Sequence, residues 1–429
     1  MEKVSRRQFI QSAIGGSVAI SGILADTRAQ GQSENPLKMG VIGCGWYGMV
    51  DVQAAFKVGG VEIVAICDVD SQHLEDSATK IEALQGSRPQ LFKDYKELLA
   101  VSGLQAVIIA TPPHWHALPF LAALDRGLDI YCEKPLAYDI REGQAMAAAA
   151  GKTDRIVQIG FQRRQSPAIR QARDYVQQGR LGRIINGDVH IHYKAGMRDT
   201  TPQAPPASLD WNQWCGPAPK LPYSPQVGHF AWRLEKAYGN GHLVDWGIHL
   251  MDATRWILNE TMPLTVQASG GIYYFKDKIT TPDILTAHFE FETCPVIWQH
   301  RMWGAKEYAP EIANGILLYG EKGTLFVTDS QWIVIPKDKG ERQVNKVKAD
   351  MGKAHMAGFL EAVRTRQQPL CPPNEAYQST STVQLAMIAY ELGRKIQWDA
   401  ETQQIAGNRR ARAMMKRDYR APWQHPYQG

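Results

Sequence analysis

Two short segments hold the residue types best able to bind and pass a proton. Glu133-Lys134-Pro135 sets a cation just past an apolar run, Asp129–Cys132, that reads as a parallel strand. Open α/β sheets place their ligands at such carboxyl ends. The second segment, Gly239 to Asp252, contains His242, Asp245, His249 and Asp252. On a helix, Asp245, His249 and Asp252 share one face with His242 a turn earlier, while Leu243, Gly247, Leu250 and Thr254 occupy another. An imidazole with an unperturbed pKa of about 6.5 can accept a hydroxyl proton. A desolvated lysine can stabilise a developing alkoxide. Neither segment is decisive alone, because polar helix faces are usually solvated and lone lysines usually lie on the surface.

Their weight comes from what precedes them. Gly43-Cys44-Gly45-Trp46-Tyr47-Gly48 follows the strand pattern Leu37–Ile42 and opens a helix expected from about Met49 to Val58. Asp68 ends the next apolar run, Val61–Cys67, and lies 20 residues past Gly48. That is the spacing of a carboxylate that binds adenosine ribose hydroxyls. The glycines let the backbone approach a pyrophosphate, whose charge is met by amides at the helix N-terminus. Gly43, Gly45, Trp46, Tyr47, Gly48 and Asp68 are therefore candidate dinucleotide contacts. A 2′-phosphate beside Asp68 would cost about 4 kcal/mol at an effective dielectric of about 20, so NAD is favoured over NADP.

The surrounding pattern supplies the elements that position these groups. Helical stretches at 71–84 and 94–100, a strand at Ala106–Ala110 and a helix at His116–Arg126 continue a βαβ alternation. The fold class is α/β, with an N-terminal Rossmann dinucleotide-binding domain over residues 35–155. From about Gly179 the runs Ile184–Tyr193, Leu264–Phe275, Ile284–Phe291, Val296–Arg301, Gly315–Tyr319 and Thr324–Val327 are joined by turns. They predict an open, mainly antiparallel sheet in a C-terminal α+β domain, residues 156–400. Helices return at 354–366 and 375–395, residues 200–226 form a long ordered loop, and 401–429 is a tail that wraps.

Ser5-Arg6-Arg7-Gln8-Phe9-Ile10 is a twin-arginine pattern, followed by a glycine-bearing apolar run from Ala13 to Leu24. That run falls short of the roughly 20 apolar residues of a membrane span. Residues 1–29 therefore read as an export signal processed near Ala29. The translocase is expected as a transient partner, the final location as periplasmic or otherwise exported, and no stable membrane association after processing. The twin-arginine route carries folded proteins, so a dinucleotide would be acquired before export. The chain carries a formal charge of +5, of which Lys3, Arg6, Arg7 and Arg28 against Glu2 and Asp26 belong to the leader. The remaining basic residues are scattered, which argues against nucleic acid as a partner. Six cysteines show no close pairs and no metal-type spacing, and no structural disulfide or zinc is expected. His190 and His192 share one strand face with no third ligand in view, so no metal is expected there either.

Taken together and in this order, the glycine loop, Thr111-Pro112-Pro113-His114-Trp115-His116, Glu133-Lys134-Pro135 and the Asp245-to-His249 helix resemble the glucose–fructose oxidoreductase/inositol dehydrogenase (Gfo/Idh/MocA) family. The resemblance extends over nearly the whole chain after the leader. It implies that Lys134 touches both nicotinamide and substrate and that Pro135 follows a cis peptide. It also implies that Asp245 orients lysine and substrate, and that His249 is the acid/base. Thr111, Pro112, His116 and Glu133 join the cofactor contacts on the same basis, with His116 near the nicotinamide end. His249 matches the dehydrogenase branch of the family, and secreted members keep their cofactor bound. The resemblance further implies that the C-terminal domain, residues 156–400, binds substrate and that its open sheet mediates a homodimer or homotetramer.

Flanking aromatic segments, Leu209–Pro217 and His229–Arg233, suit a carbohydrate, since Trp faces stack on sugar rings and Arg donates to hydroxyls. Tyr193, Lys194, Trp232 and Arg233 are candidate substrate contacts, whereas Trp211 and Trp214 fit a packed loop equally well. The leading expectation is an exported NAD-dependent oxidoreductase that acts on a secondary hydroxyl of a sugar, polyol or glycoside and holds its cofactor tightly. An alternative is a glycoside hydrolase or lyase that uses NAD catalytically; a non-catalytic sugar sensor is a third reading, disfavoured by Lys134 and His249.

Overall fold

A computed structural model describes residues 35–305 and 313–428; the expected leader, 1–29, lies outside the described residues. Six short strands form the first sheet: β1 (Leu37–Ile42), β2 (Val61–Cys67), β3 (Gln90–Phe92), β4 (Ala106–Ile109), β5 (Asp129–Cys132) and β6 (Val157–Ile159). They are parallel in the order β3-β2-β1-β4-β5-β6. Strands such as β4 and β5 are buried along their whole length, as a parallel sheet covered on both faces requires. Because β6 pairs with β5, this sheet runs past the boundary expected at 155. The strand order reverses between β1 and β4, which opens a crevice at the carboxyl edge.

Ten strands form the second sheet: β7 (Ile184–His192), β8 (Thr265–Gly271), β9 (Ile284–Glu290), β10 (Pro295–Arg301), β11 (Asn314–Gly320), β12 (Gly323–Val327), β13 (Gln331–Pro336), β14 (Gln343–Lys346), β15 (Ile396–Asp399) and β16 (Gln404–Ala406). Their order is β14-β13-β12-β11-β7-β10-β9-β8-β15-β16. The β7–β10 pair is parallel and the other pairings are antiparallel, matching the expected mainly antiparallel sheet. The strand expected over Leu264–Phe275 stops at Gly271. The amides of Tyr273, Tyr274 and Phe275 donate instead to the Asp283 carboxylate at 2.8–3.0 Å. The helix expected at 94–100 is the shorter Tyr95–Leu98.

The two halves share their packing. One face of the parallel sheet is covered by helices Trp46–Val58 and Ser71–Gln85 and, from the far end of the chain, by Met351–Thr365, whose Met356 and Phe359 enter that core. Burying two such side chains contributes about 1.5–3 kcal/mol each. The other face merges into one core with helices Ile248–Leu258 and Pro373–Leu392 and the second sheet. Residues 200–226 form an ordered layer in which Trp211 and Trp214 are buried and stack at 4.7 Å beside Tyr238. All six cysteines are buried and free. Among the described residues, no helix is long and apolar enough to cross a membrane.

Candidate functional site

A cleft of about 1290 Å³ runs along the carboxyl edge of the first sheet. Gly43 has φ +83°, and a Cβ there would lie 2.7 Å from the Thr111 amide nitrogen. At Gly48 a Cβ would stand 2.0 Å from the Gly43 carbonyl oxygen, so the helix can approach the strand only without a side chain. This glycine cradle, leading into the helix Trp46–Val58, fits a pyrophosphate. Asp68 lies just past β2 and lines the cleft. Its Oδ2 accepts from the Cys44 amide and its Oδ1 from the Asp70 amide, both at 3.0 Å. The carboxylate is thus fixed with lone pairs left for ribose hydroxyls. Gly45, Trp46, Tyr47, Thr111, Pro112, Glu133 and Lys134 line the same cleft, and the Lys134–Pro135 peptide is cis.

At the opposite end, past β5, Lys134 Nζ donates to the Asp245 carbonyl oxygen at 2.7 Å and to Asp245 Oδ1 at 3.1 Å. Arg233 Nε lies 3.1 Å from Asp245 Oδ2. Asp245 sits in a wide π-helical turn, Leu243–Gly247, that feeds the helix Ile248–Leu258, and His249 lies on the first turn of that helix. The bare Cα of Gly247 lets this turn lie against the Trp298 ring of β10. Arg163 follows β6 on the 3-10 turn Gln162–Gln165 and pairs with Asp329 at 3.0 Å beside the Trp246 ring. Arg163 Nη1, Asp329 Oδ1 and His249 Nδ1 are buried and have no hydrogen-bond partner among the described residues. All three side chains line the cleft. Buried polar groups seek partners, so these are open positions for a ligand.

Electrostatics separate the roles. Burial, then the charges of Lys134, Arg163 and His355, push His249 well below the ordinary imidazole pKa, and it rests neutral. For Asp245, burial works upward, but Lys134 and Arg233 outweigh it and hold the carboxyl below its usual value. Glu133 is pushed up chiefly by burial, although Lys134 and the 2.6 Å bond from Gln162 act the other way. His242 is lowered to about 4, mainly by burial.

Several expected contacts lie elsewhere. His116 does not line the cleft: its buried ring sits 2.8 Å from both the Pro135 and Thr111 carbonyl oxygens, tying together the two loops that do. Tyr193 and Lys194 are also absent from the lining. Tyr193 continues the β7–β10 pairing through its amide, 2.9 Å from the Arg301 carbonyl, and its ring stacks on His242. Trp232 and Arg233 do reach the cleft. Asp252, expected to share a face with Asp245 and His249, is fully buried and bonded to Arg164 and Ser379. A buried arginine claimed it. Arg163 and Asp329 were not expected in the site. The adjacent arginines after a short apolar run, Arg163-Arg164, offered a signal; Asp329 offered none. Among the described residues, two clusters have ligand-like spacing of histidine and carboxylates, Asp70/His73/His229 and Asp139/Glu142/His425, and neither includes His190 or His192.

Residues 37–161 match the family model described as oxidoreductase family, NAD-binding Rossmann fold, of the Gfo/Idh/MocA group, and residues 185–425 match its C-terminal alpha/beta domain. An inositol 2-dehydrogenase of Saccharopolyspora erythraea is 32% identical over 157 residues, covering 36% of this chain and 44% of the relative. A levoglucosan dehydrogenase of Pseudarthrobacter phenanthrenivorans is 31% identical over 168 residues, covering 39% of this chain and 36% of that protein. The chain thus spans half or less of the length of the curated relatives it matches. A solved scyllo-inositol dehydrogenase from Lactobacillus casei, with NAD(H) and scyllo-inositol, superposes with a TM-score of 0.65 at 18% identity, covering 84% of this chain and 99% of that one. A levoglucosan dehydrogenase with NADH and L-sorbose gives 0.68 at 17% identity, covering 85% and 99%.

Proposed function

We propose that this chain, which belongs to the Gfo/Idh/MocA oxidoreductase family, is an exported NAD-dependent dehydrogenase. Its substrate is a neutral sugar, polyol or glycoside, and it holds its cofactor tightly. The observation that carries this reading is the gathering of Lys134, Asp245 and His249 at one end of a cleft whose other end is marked by Asp68. A bound nicotinamide would supply hydride chemistry at a substrate carbon. Lys134, locked by Asp245, donates to the reacting hydroxyl oxygen and stabilises negative charge there. His249, held neutral, accepts the hydroxyl proton in oxidation and returns it in reduction.

Arg163 and Asp329 narrow the substrate class. One presents an open donor and the other an open acceptor in the same wall. A hydroxyl can accept from Arg163 and donate to Asp329, whereas a carboxylate would meet the like charge of Asp329. That favours neutral polyhydroxylated rings over acidic substrates. Export rests on Ser5-Arg6-Arg7, and an exported enzyme without a free NAD pool needs a retained cofactor.

The test incubates purified protein with a panel of sugars, polyols and glycosides, with and without added NAD, following nicotinamide absorbance and product mass. Stoichiometric NADH with a neutral polyol is expected. Cleavage or interconversion without net NADH identifies the cycling glycosidase instead. NAD(H) should co-purify near one per chain, and a cofactor-free preparation that binds NAD weakly contradicts tight holding. Arg6→Lys with Arg7→Lys should retain the protein in the cytoplasm; unchanged export removes the localisation.

A further inference from the structure

Residues 414–425 are fastened to the rest of the protein by a run of buried polar contacts. After the helix Arg409–Ala413, Arg417 inserts between two buried carboxylates at the start of the helix Ile140–Ala150. Its side chain contacts Glu142 at 2.9 Å, its amide donates to Asp139 at 3.0 Å, and its guanidinium also donates to the His114 carbonyl oxygen at 2.7 Å. Tyr419 donates to the same Glu142 oxygen at 2.8 Å, and His425 lies 3.0 Å from Asp139. Arg420 forks onto Asn212, with bonds of 2.7 Å to its side chain and 2.8 Å to its carbonyl oxygen. Between the Arg420 and His425 anchors the chain turns outward and presents Pro422 and Trp423 to the dinucleotide cleft.

Sheet order says which end of the cleft they reach. Asp68 follows β2 and Tyr95 follows β3, on the side away from Lys134 after β5. Trp115 packs edge-on to Tyr95 at 6.1 Å and to Trp423 at 5.7 Å, and Lys93, Tyr95, Trp115 and Trp423 all line the cleft there. A fixed aromatic wall beyond the ribose-binding carboxylate suits a flat, π-faced base. We propose that the C-terminal segment completes the adenine end of the site, that Trp423 contacts the adenine ring, and that this contact sets how slowly the cofactor leaves. The inference rests on reading the cleft as an NAD site. It assigns retention to residues far in sequence from the glycine loop.

The test loads full-length protein with NADH and follows its release by stopped-flow fluorescence during a chase with excess NAD. Trp423→Ala is expected to release NADH about 10- to 100-fold faster, the range for loss of one base–aromatic stack. Energy transfer from tryptophan to NADH should fall as well. Trp423→Phe keeps a ring and should restore most of the slow release. Wild-type release rates in Trp423→Ala overturn the proposal while leaving the NAD reading intact. Failure of the wild-type protein to bind NADH overturns both.

Discussion

Two aspartates seven positions apart, Asp245 and Asp252, are both buried and both meet a cation, yet their surroundings differ in kind. Around Asp252 nothing is left over: Arg164 grips it with two bonds of 2.9 and 2.7 Å, and Ser379 adds a third at 2.6 Å. Around Asp245 the charge is divided between Lys134 and Arg233, and all three side chains face the cleft. A closed pair holds elements together. An open one retains donors that a substrate can use. Net stabilisation by a closed buried pair is not guaranteed, but breaking it strands a charge.

The largest expected effect is on the open side. Lys134→Ala should lower kcat by about 10³-fold or more, the scale for removing a donor aimed at developing negative charge. Urea unfolding should change little, because Arg233 still satisfies Asp245. Turnover within tenfold of wild type would place the chemistry elsewhere. Next in size, Asp252→Ala should cost about 3–5 kcal/mol of unfolding free energy by leaving the buried Arg164 with only the longer ion-pair contact to Glu375, at 3.5 Å. The folded fraction should keep near-normal kcat. A variant equally stable but inactive would mean that Asp252 belongs to the reaction after all. Smaller again, Asp329→Ala removes both the anion and its acceptor oxygen. It should raise KM for a neutral polyol by about tenfold, the scale of one hydrogen bond, with little change in kcat. Improved binding of an acidic sugar in the same variant would sharpen the charge argument, whereas a collapse of kcat would contradict it.

The same contrast explains what was legible in the sequence. Lys134 is expected only from its company with the other motifs, whereas the glycine loop and Asp68 could be expected because backbone geometry at a strand end dictates residue type and spacing. The near-continuous apolar strands announced the first sheet for the same reason. Periodicity could not separate Asp245 from Asp252, since both are polar positions on one helix. Only the arrival of Arg164 from another segment decides that Asp252 is sealed in. Tyr193 and Lys194 are absent from the cleft lining; the Tyr193 amide is tied to Arg301 and its ring to His242, long-range partners that no local pattern reveals. Met351–Thr365 reads as an amphipathic helix but carries no mark that its apolar face belongs to the first sheet, more than 180 residues away in sequence. Trp423 belongs to the same class, a tail residue whose role follows from anchors at Glu142 and Asn212.

The smallest effect divides the two aspartates most cleanly, because it is read on a neighbour. His249 must be neutral to accept a proton, so oxidation is favoured on the alkaline side of its pKa and lost as pH falls through it. An unperturbed imidazole would be half protonated at about pH 6.5. Burial and the charges of Lys134, Arg163 and His355 move this one well below that value. The neutral base should therefore persist through pH 6.5, and NMR titration should find the His249 ring unprotonated there. A midpoint near 6.5 for that ring would contradict the electrostatic account. Lys134→Met keeps the bulk but removes the charge, so the His249 pKa should rise toward its ordinary value. Asp252→Ala should move it less, because Asp252 acts on His355 and not directly on His249. If instead the Asp252 variant moves the titration and the Lys134 variant does not, the open pair and the closed pair have been assigned the wrong way round.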